Sequence, residues 1–169
     1  PYFDFGITSH ETFVGSGYGH WETADEKSKS AVDVDPPGIS ICAYNVADES
    51  FSPSGTTSMA LTFGGYSAPW LKLTPGEYVA AKDKMATKAI AYAESLAPNL
   101  RDHIEVMEVA TPLTNIRYSG NPGGSFFGFA ESRQPTRLDR IPFRGPLKGL
   151  YFAGAWVNLG GGYFPTIFG

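Results

Sequence analysis

A chain of 169 residues is long enough for one ordinary domain with a real core, and 42% apolar against 18% charged residues excludes a disordered or fibrous protein. A net charge of −4, with 13 Lys and Arg scattered along the chain, argues against a nucleic-acid partner. The single Cys42 excludes an internal disulfide framework and an all-Cys zinc site, and His10, His20 and His103 lack ligand spacing, so no metal site is expected.

In chain order, Tyr2, Phe3 and Phe5 are expected to begin a strand, and the breakers Ser16, Gly17, Gly19, Asp33, Asp35, Pro36, Pro37 and Gly38 follow. Ala24–Ser30 reads as a solvated loop or a short helix. Residues 39–46 are dense in branched and aromatic side chains and predict a strand. After a Ser- and Pro-rich turn over Asp48–Gly55, residues 56–64 place Met59, Leu61 and Phe63 on one face at period two. The two runs predict an antiparallel hairpin with a long connection.

Thr74-Pro75-Gly76-Glu77 is a capping box with proline at the first helical position. Tyr78, Met85, Ala89, Tyr92 and Leu96 then recur on one helical face, and Pro98 is expected to end the helix at about Ala97. Residues 103–109 read as a strand with Ile104 and Val106 inside, Met107 and Val109 being further candidates. Asn115 to Phe129 is rich in glycine and aromatics with little regular periodicity. Residues 131–148, with Arg133, Arg137, Arg140 and Arg144, read as an exposed connection. Leu150-Tyr-Phe-Ala153 predicts a short, fully buried strand.

That last run leads into Gly154-Ala155 and then Gly160-Gly161-Gly162 before an apolar stretch opened by Pro165. Glycine lets a ligand approach the backbone closely, and the free amides of a helix start suit a pyrophosphate or the electron-rich edge of a ring. A flexible turn is the plainer alternative. The pattern is neither the dinucleotide fingerprint G-x-G-x-x-G nor a Walker A loop. Ser67 lacks the second glycine of a nucleophile elbow, Cys42 reads as a small strand hydrophobe, and Asp33 and Asp35 read as turn residues.

Gly149-Leu-Tyr-Phe-Ala-Gly-Ala155 followed by Gly160-Gly161-Gly162 resembles the C-terminal flavin motif of the phytoene desaturase, carotenoid isomerase and retinol saturase family. Thr111-Pro112-Leu113-Thr114, Arg117-Tyr118 and Asn121-Pro122-Gly123-Gly124, leading to Phe127-Gly128-Phe129, is similar to a second block of that family. The resemblance covers about residues 75–169. It implies that Gly154 and Ala155 face the FAD pyrophosphate and ribityl chain, and that Gly161, Gly162 and Tyr163 begin a helix aimed at the flavin ring. It also implies that Tyr118, Phe127 and Phe129 lie beside the substrate. Pro165 departs from the family, which usually has glycine there, and removes one amide. No catalytic acid or base is implied.

The expected fold is therefore mixed α+β: antiparallel substrate-domain strands, a long covering helix, and the last strand and helix start of a Rossmann-like FAD domain. The expected division is 1–110 as part of the substrate domain, 111–148 as a flavin- and substrate-adjacent connection, and 149–169 as the FAD motif. The N-terminal βαβ unit that holds the ADP half in such enzymes has no counterpart here, so the chain reads as a C-terminal fragment that binds FAD weakly or not at all alone. Its expected partners are an apolar isoprenoid or polyene and the missing N-terminal portion, with self-association through exposed apolar surface. A standalone apolar-ligand module or an assembly domain are the alternatives. With no signal peptide and no run of 18 apolar residues, cytoplasmic placement is expected, peripheral membrane contact being compatible with it.

Overall fold

The computed structural model describes residues 2–15, 17, 21–128, 141–157, 162 and 166–167. The chain divides into two compact units, Pro1–Thr111 and Pro112–Gly169. The first is an α+β unit built on a three-stranded antiparallel sheet in the order β1-β2-β3, with β1 Glu11–Gly15, β2 Gly38–Ala43 and β3 Met59–Thr62.

Alternation decides which face of the sheet is inside. Ile39, Ile41 and Ala43 are buried along β2, while Ser40 and Cys42 point the other way and are only half-buried. Register carries that face across the sheet, since Val14 pairs with Ile39, Thr12 with Ile41, and Ile41 with Leu61. Met59, Leu61 and Phe63 pack against the resulting core of Ile39, Ile41 and Ala93, as their period-two spacing predicts. On the opposite face the Ser40 hydroxyl donates to the Glu11 carboxylate at 2.6 Å.

The long β2–β3 connection is organised by one buried amide. Asn45 Nδ2 donates to the Glu49 carbonyl at 3.1 Å and to Ser52 Oγ at 2.8 Å, and Asn45 Oδ1 accepts from the Ser58 amide at 2.8 Å. Asp48 caps a single 3-10 turn, Glu49–Phe51, inside the same connection.

The helix α3, Pro75–Ala93, starts where the capping box places it. Thr74 Oγ1 accepts from the Glu77 amide at 3.4 Å, and Glu77 Oε2 accepts from the Thr74 amide at 2.8 Å. The helix proper ends at Ala93 and passes into turns that reach Ala97 before Asn99 adopts a left-handed conformation (φ 63°). Its buried side chains are Met85, Ala86, Ala89, Ile90 and Ala93, so the face is set largely by alanines, which carry little hydrophobic signal but allow close approach to the sheet. Of the predicted stripe, Tyr78 and Tyr92 are half-buried and Leu96 is exposed.

Polar groups tie the segment before β2 to this helix. Tyr92 donates to the Pro36 carbonyl at 2.7 Å, Lys88 pairs with Asp33 at 2.8 Å and Asp35 at 2.6 Å, and Lys84 also reaches Asp33. Hydrogen bonds from Lys84 and then Lys88 hold the Asp33 carboxyl below its ordinary value. Burial pulls the Lys88 ammonium down, but Asp33 and Asp35 outweigh it and hold it above its ordinary value.

Elsewhere the structure departs from the expectations. Tyr2–Phe5 is a 3-10 turn, not a strand, and the third strand is Glu11–Gly15, for which no element is expected above. Trp21–Ser28 is an α-helix, α1, which takes the short-helix reading of Ala24–Ser30 but starts three residues earlier, and Ser67–Trp70 is an unexpected single helical turn, α2. Residues 103–109 form no strand: Leu100–His103 is a 3-10 turn and Val106 is 85% exposed. A strand needs a ladder partner, and among the described residues none pairs with this stretch. Among the described residues no helix is long and apolar enough to cross a membrane.

The capping box makes a testable claim. Thr74→Ala is expected to destabilise the first unit by about 1 kcal/mol at neutral pH, read by urea unfolding of the helical signal. The Thr74 side chain, then its amide, holds the Glu77 carboxyl below its ordinary value. That contribution is complete above the unfolded carboxylate pKa and is lost as pH falls through the depressed folded one, so the penalty of Thr74→Ala should shrink in acid.

Candidate functional site

The second unit carries the motif residues. Pro112 opens the helix α4, Pro112–Ser119, in a stretch whose periodicity gives no helix, because proline at a first helical position needs no amide partner. Gly120 (φ 69°) ends the helix, its amide bonding the Ile116 carbonyl at 2.9 Å.

The Asn121–Gly128 loop is held by one amide of its own and one of α4: Asn121 Nδ2 donates to the Ser125 carbonyl at 3.0 Å, and Asn115 Nδ2 to the Gly124 carbonyl at 3.4 Å. The Ser125 hydroxyl closes onto the Gly128 carbonyl. Two of its glycines meet other backbone directly. A methyl group at Gly124 (φ 68°) would collide with the Pro112 carbonyl, and one at Gly128 (φ 84°) with the Ala155 carbonyl, with Trp156 Cα at 3.4 Å.

Ala155 belongs to the C-terminal motif. The segment before it forms a short antiparallel ladder, with the Gly145 amide on the Leu150 carbonyl at 2.9 Å and the Phe152 amide on the Phe143 carbonyl at 2.8 Å. This corrects the expectation of a fully buried strand, since Tyr151 is 66% exposed and Leu150 and Phe152 are also exposed. The described residues supply a ladder on one edge, with Phe143 and Gly145, and the flanking strands and covering layers of a buried parallel strand are not among them. A bridge from Ile141 to Val157 closes the far end, and Val157 is buried.

Gly154 has φ 113°, a conformation that favours glycine, and among the described residues beyond its chain neighbours no atom lies within 4 Å of where a Cβ would stand. Its carbonyl accepts from the Val157 amide at 3.3 Å, closing a turn around the half-buried Ala155 and Trp156. Gly162 (φ 108°) is exposed, and its carbonyl accepts from the Thr166 amide at 3.1 Å and from the Thr166 hydroxyl. Gly161, Tyr163 and Phe129 lie outside the described residues, as do Pro165, Arg133, Arg137 and Arg140.

Of the aromatics expected beside a substrate, the two described, Tyr118 and Phe127, are open to solvent. Tyr118 is 82% exposed with the Arg117 guanidinium 5.8 Å from its ring, and Phe127 is exposed, edge-to-face with Phe126 at 4.7 Å. What the structure brings together is backbone: the Asn121–Gly128 block and the Gly154–Ala155 turn, 27 positions apart from Gly128 to Ala155, meet directly. The roles of Gly124 and Gly128 escape sequence reading, although Gly-Gly-x-x-x-Gly is itself a signal of close approach.

In the first unit, Cys42 is half-buried with its Sγ 3.6 Å from Ser40 Oγ, and Ser67 opens α2. A cleft of about 150 Å3 lies among Phe5, Ile7, Ile41, Met59, Ala93 and Leu96. Sites for larger organic ligands start at about 300 Å3, so this cleft does not accommodate a polyene. Among the described residues no three His, Cys, Asp or Glu side chains converge as metal ligands.

No protein-family model matches the chain, and no solved structure matches it. Among the curated proteins, it is similar to the pyridine nucleotide-disulfide oxidoreductase domain-containing protein 2 of Rattus norvegicus, at 27% identity over 146 residues. The match takes in 82% of this chain and 25% of that protein, so the chain spans about a quarter of the length of a relative named for an oxidoreductase domain.

Proposed function

We propose that this chain is the C-terminal part of an FAD-dependent oxidoreductase of the phytoene desaturase-like kind, acting on an apolar isoprenoid or polyene. The likeness to a protein named for an oxidoreductase domain supports the reaction class. The observation that carries the finer reading is the contact of Gly128 with Ala155. Two sequence blocks that resemble the family's flavin motifs are in backbone contact within one unit.

The residues present fit a flavin dinucleotide at one point that geometry can judge. Gly154 (φ 113°) has no described atom beyond its chain neighbours within 4 Å of where a Cβ would stand, so its backbone is open to the approach of a pyrophosphate or ribityl chain. On this reading Gly154 and Ala155 hold the diphosphate side, and Gly161, Gly162 and Tyr163 form the helix start toward the ring. Bound FAD would supply the hydride or electron transfer. The chain's own part is to orient the cofactor through backbone and to line an apolar channel, through Tyr118, Phe127 and Phe129, that keeps water from the reacting bond.

The same reading assigns 1–110 to a substrate domain, 111–148 to the connecting segment and 149–169 to the last strand and helix start of a Rossmann-like domain. The exposed faces of Leu150, Tyr151 and Phe152 then become the surface on which an N-terminal FAD-binding portion packs.

The ultraviolet–visible spectrum of the purified chain with added FAD, alone and with a separately expressed N-terminal portion, tests the proposal. Flavin retained only in the mixture is the expected result. Flavin retained by neither preparation, with the chain folded and monodisperse, overturns it in favour of a flavin-free apolar-ligand or assembly domain.

A further inference from the structure

The loop glycines bear on how the Gly154–Ala155 turn is held in place. Left-handed backbone alone explains a glycine only in part, because Gly120 (φ 69°) has open space where its Cβ would be. Gly128 (φ 84°) differs: the space its side chain would fill is occupied by the Ala155 carbonyl, and Trp156 Cα is next to it. The middle of the loop is seated the same way, with Gly124 against the Pro112 carbonyl at the start of α4. The loop therefore bridges the first residue of α4 and the Gly154–Ala155 turn, meeting one through Gly124 and the other through Gly128. The Asn121 amide and Ser125 hydroxyl fix its shape through the Ser125 and Gly128 carbonyls.

We propose that Gly128 is a positioning residue, whose missing side chain seats the Asn121–Gly128 loop on the Ala155 carbonyl and so fixes where the Gly154–Ala155 backbone presents its open face. The positioning itself is a property of this chain. Its consequence for a cofactor rests on the flavin reading above: a bulge at Gly128 moves Ala155 and, with it, the open backbone at Gly154. Displacement of a binding group by an ångström costs up to about a hundredfold in function, so Gly128 would govern flavin affinity without touching the flavin.

The chain contains one Ala-Trp pair, Ala155-Trp156. Labelling alanine with 13C at the carbonyl and tryptophan with 15N therefore yields one correlated resonance, which reports on the Ala155 carbonyl and needs no flavin. Gly128→Ala is expected to shift that resonance, while Gly120→Ala, with the same left-handed strain but no collision, leaves it in place. An unmoved resonance in Gly128→Ala, or equal movement in both variants, overturns the proposal. Should Gly128→Ala fail to fold, the unsubstituted chain still decides: a nuclear Overhauser contact between the Gly128 and Trp156 α-protons is expected, and its absence overturns the proposal.

Flavin titration of the same variants, with the N-terminal portion present, reads the consequence separately. A loss of about tenfold or more in affinity for Gly128→Ala alone is expected. A shifted resonance with no flavin bound by any variant would sink the flavin reading and leave the positioning role standing.

Discussion

Replacing Asn45 by Ala is expected to lower the stability of the first unit by about 2–4 kcal/mol. The side chain is 4% exposed and makes three hydrogen bonds that span the β2–β3 connection: two from its amide nitrogen, to Glu49 and Ser52, and one from Ser58 to its oxygen. Truncation strands the half-buried Ser58 amide, at about 1–3 kcal/mol for a buried group left unsatisfied, and loses the bonds to Ser52 and to the solvent-accessible Glu49 at about 0.5–1.5 kcal/mol each. Asn45→Asp separates the two halves of the argument. It keeps an acceptor for Ser58 but turns a carboxylate toward the Glu49 carbonyl, so it should be at least as damaging as Ala at neutral pH. Urea unfolding followed by the helical signal of α3 reads both. A cost below about 1 kcal/mol for Ala would mean that the connection is held by other contacts.

Ile41→Ala carries the second large effect, about 3–4 kcal/mol from lost burial and the cavity left behind. Ile41 is 4% exposed at the centre of the sheet, between Thr12 and Leu61, and belongs to the core with Ile39 and Ala93. Phe13, on the neighbouring strand, is 77% exposed on the other face, and Phe13→Ala should be nearly neutral. The pair tests the register as well as the burial. A slip by one residue would exchange the two faces of a strand, so comparable costs at Ile41 and Phe13 would refute the sheet described above.

What could be read from the sequence follows the strength of the local signals. The capping box and the period-two spacing of Met59, Leu61 and Phe63 each state one structure and form it, while the run at 39–46 forms its strand only to Ala43, with Tyr44–Val46 a 3-10 turn. Strand β1 was hidden because its alternation spans five residues, with Glu at one end and Gly at the other, before the Ser16-Gly17 breaker. Helix α4 was hidden by its Pro112 start and by Thr, Asn and Tyr, which favour no helix strongly. The apolar runs at 104–109 and 150–153 misled for a shared reason: a strand exists through its neighbours, and a one-dimensional pattern does not name them.

The candidate site shows the same boundary. Gly154 was legible as a place where a ligand could approach the backbone, and the structure adds only its left-handed φ of 113° and the open space beside it. The meeting of Gly128 with Ala155 was not, because two backbones in contact leave no trace in hydropathy. Pairing of this kind is visible only as a glycine whose absent side chain another atom occupies.

The ties between α3 and the segment before β2 have a consequence for how the first unit comes apart. Residues 33–36 are attached to one helix by an aspartate bonded to two lysines, a second aspartate on one of them, and a tyrosine hydroxyl on a carbonyl. The same segment leads without a break into the central strand. It therefore has little freedom to fray on its own: its opening is coupled to that of the helix, and linker, helix and strand behave as one cooperative block.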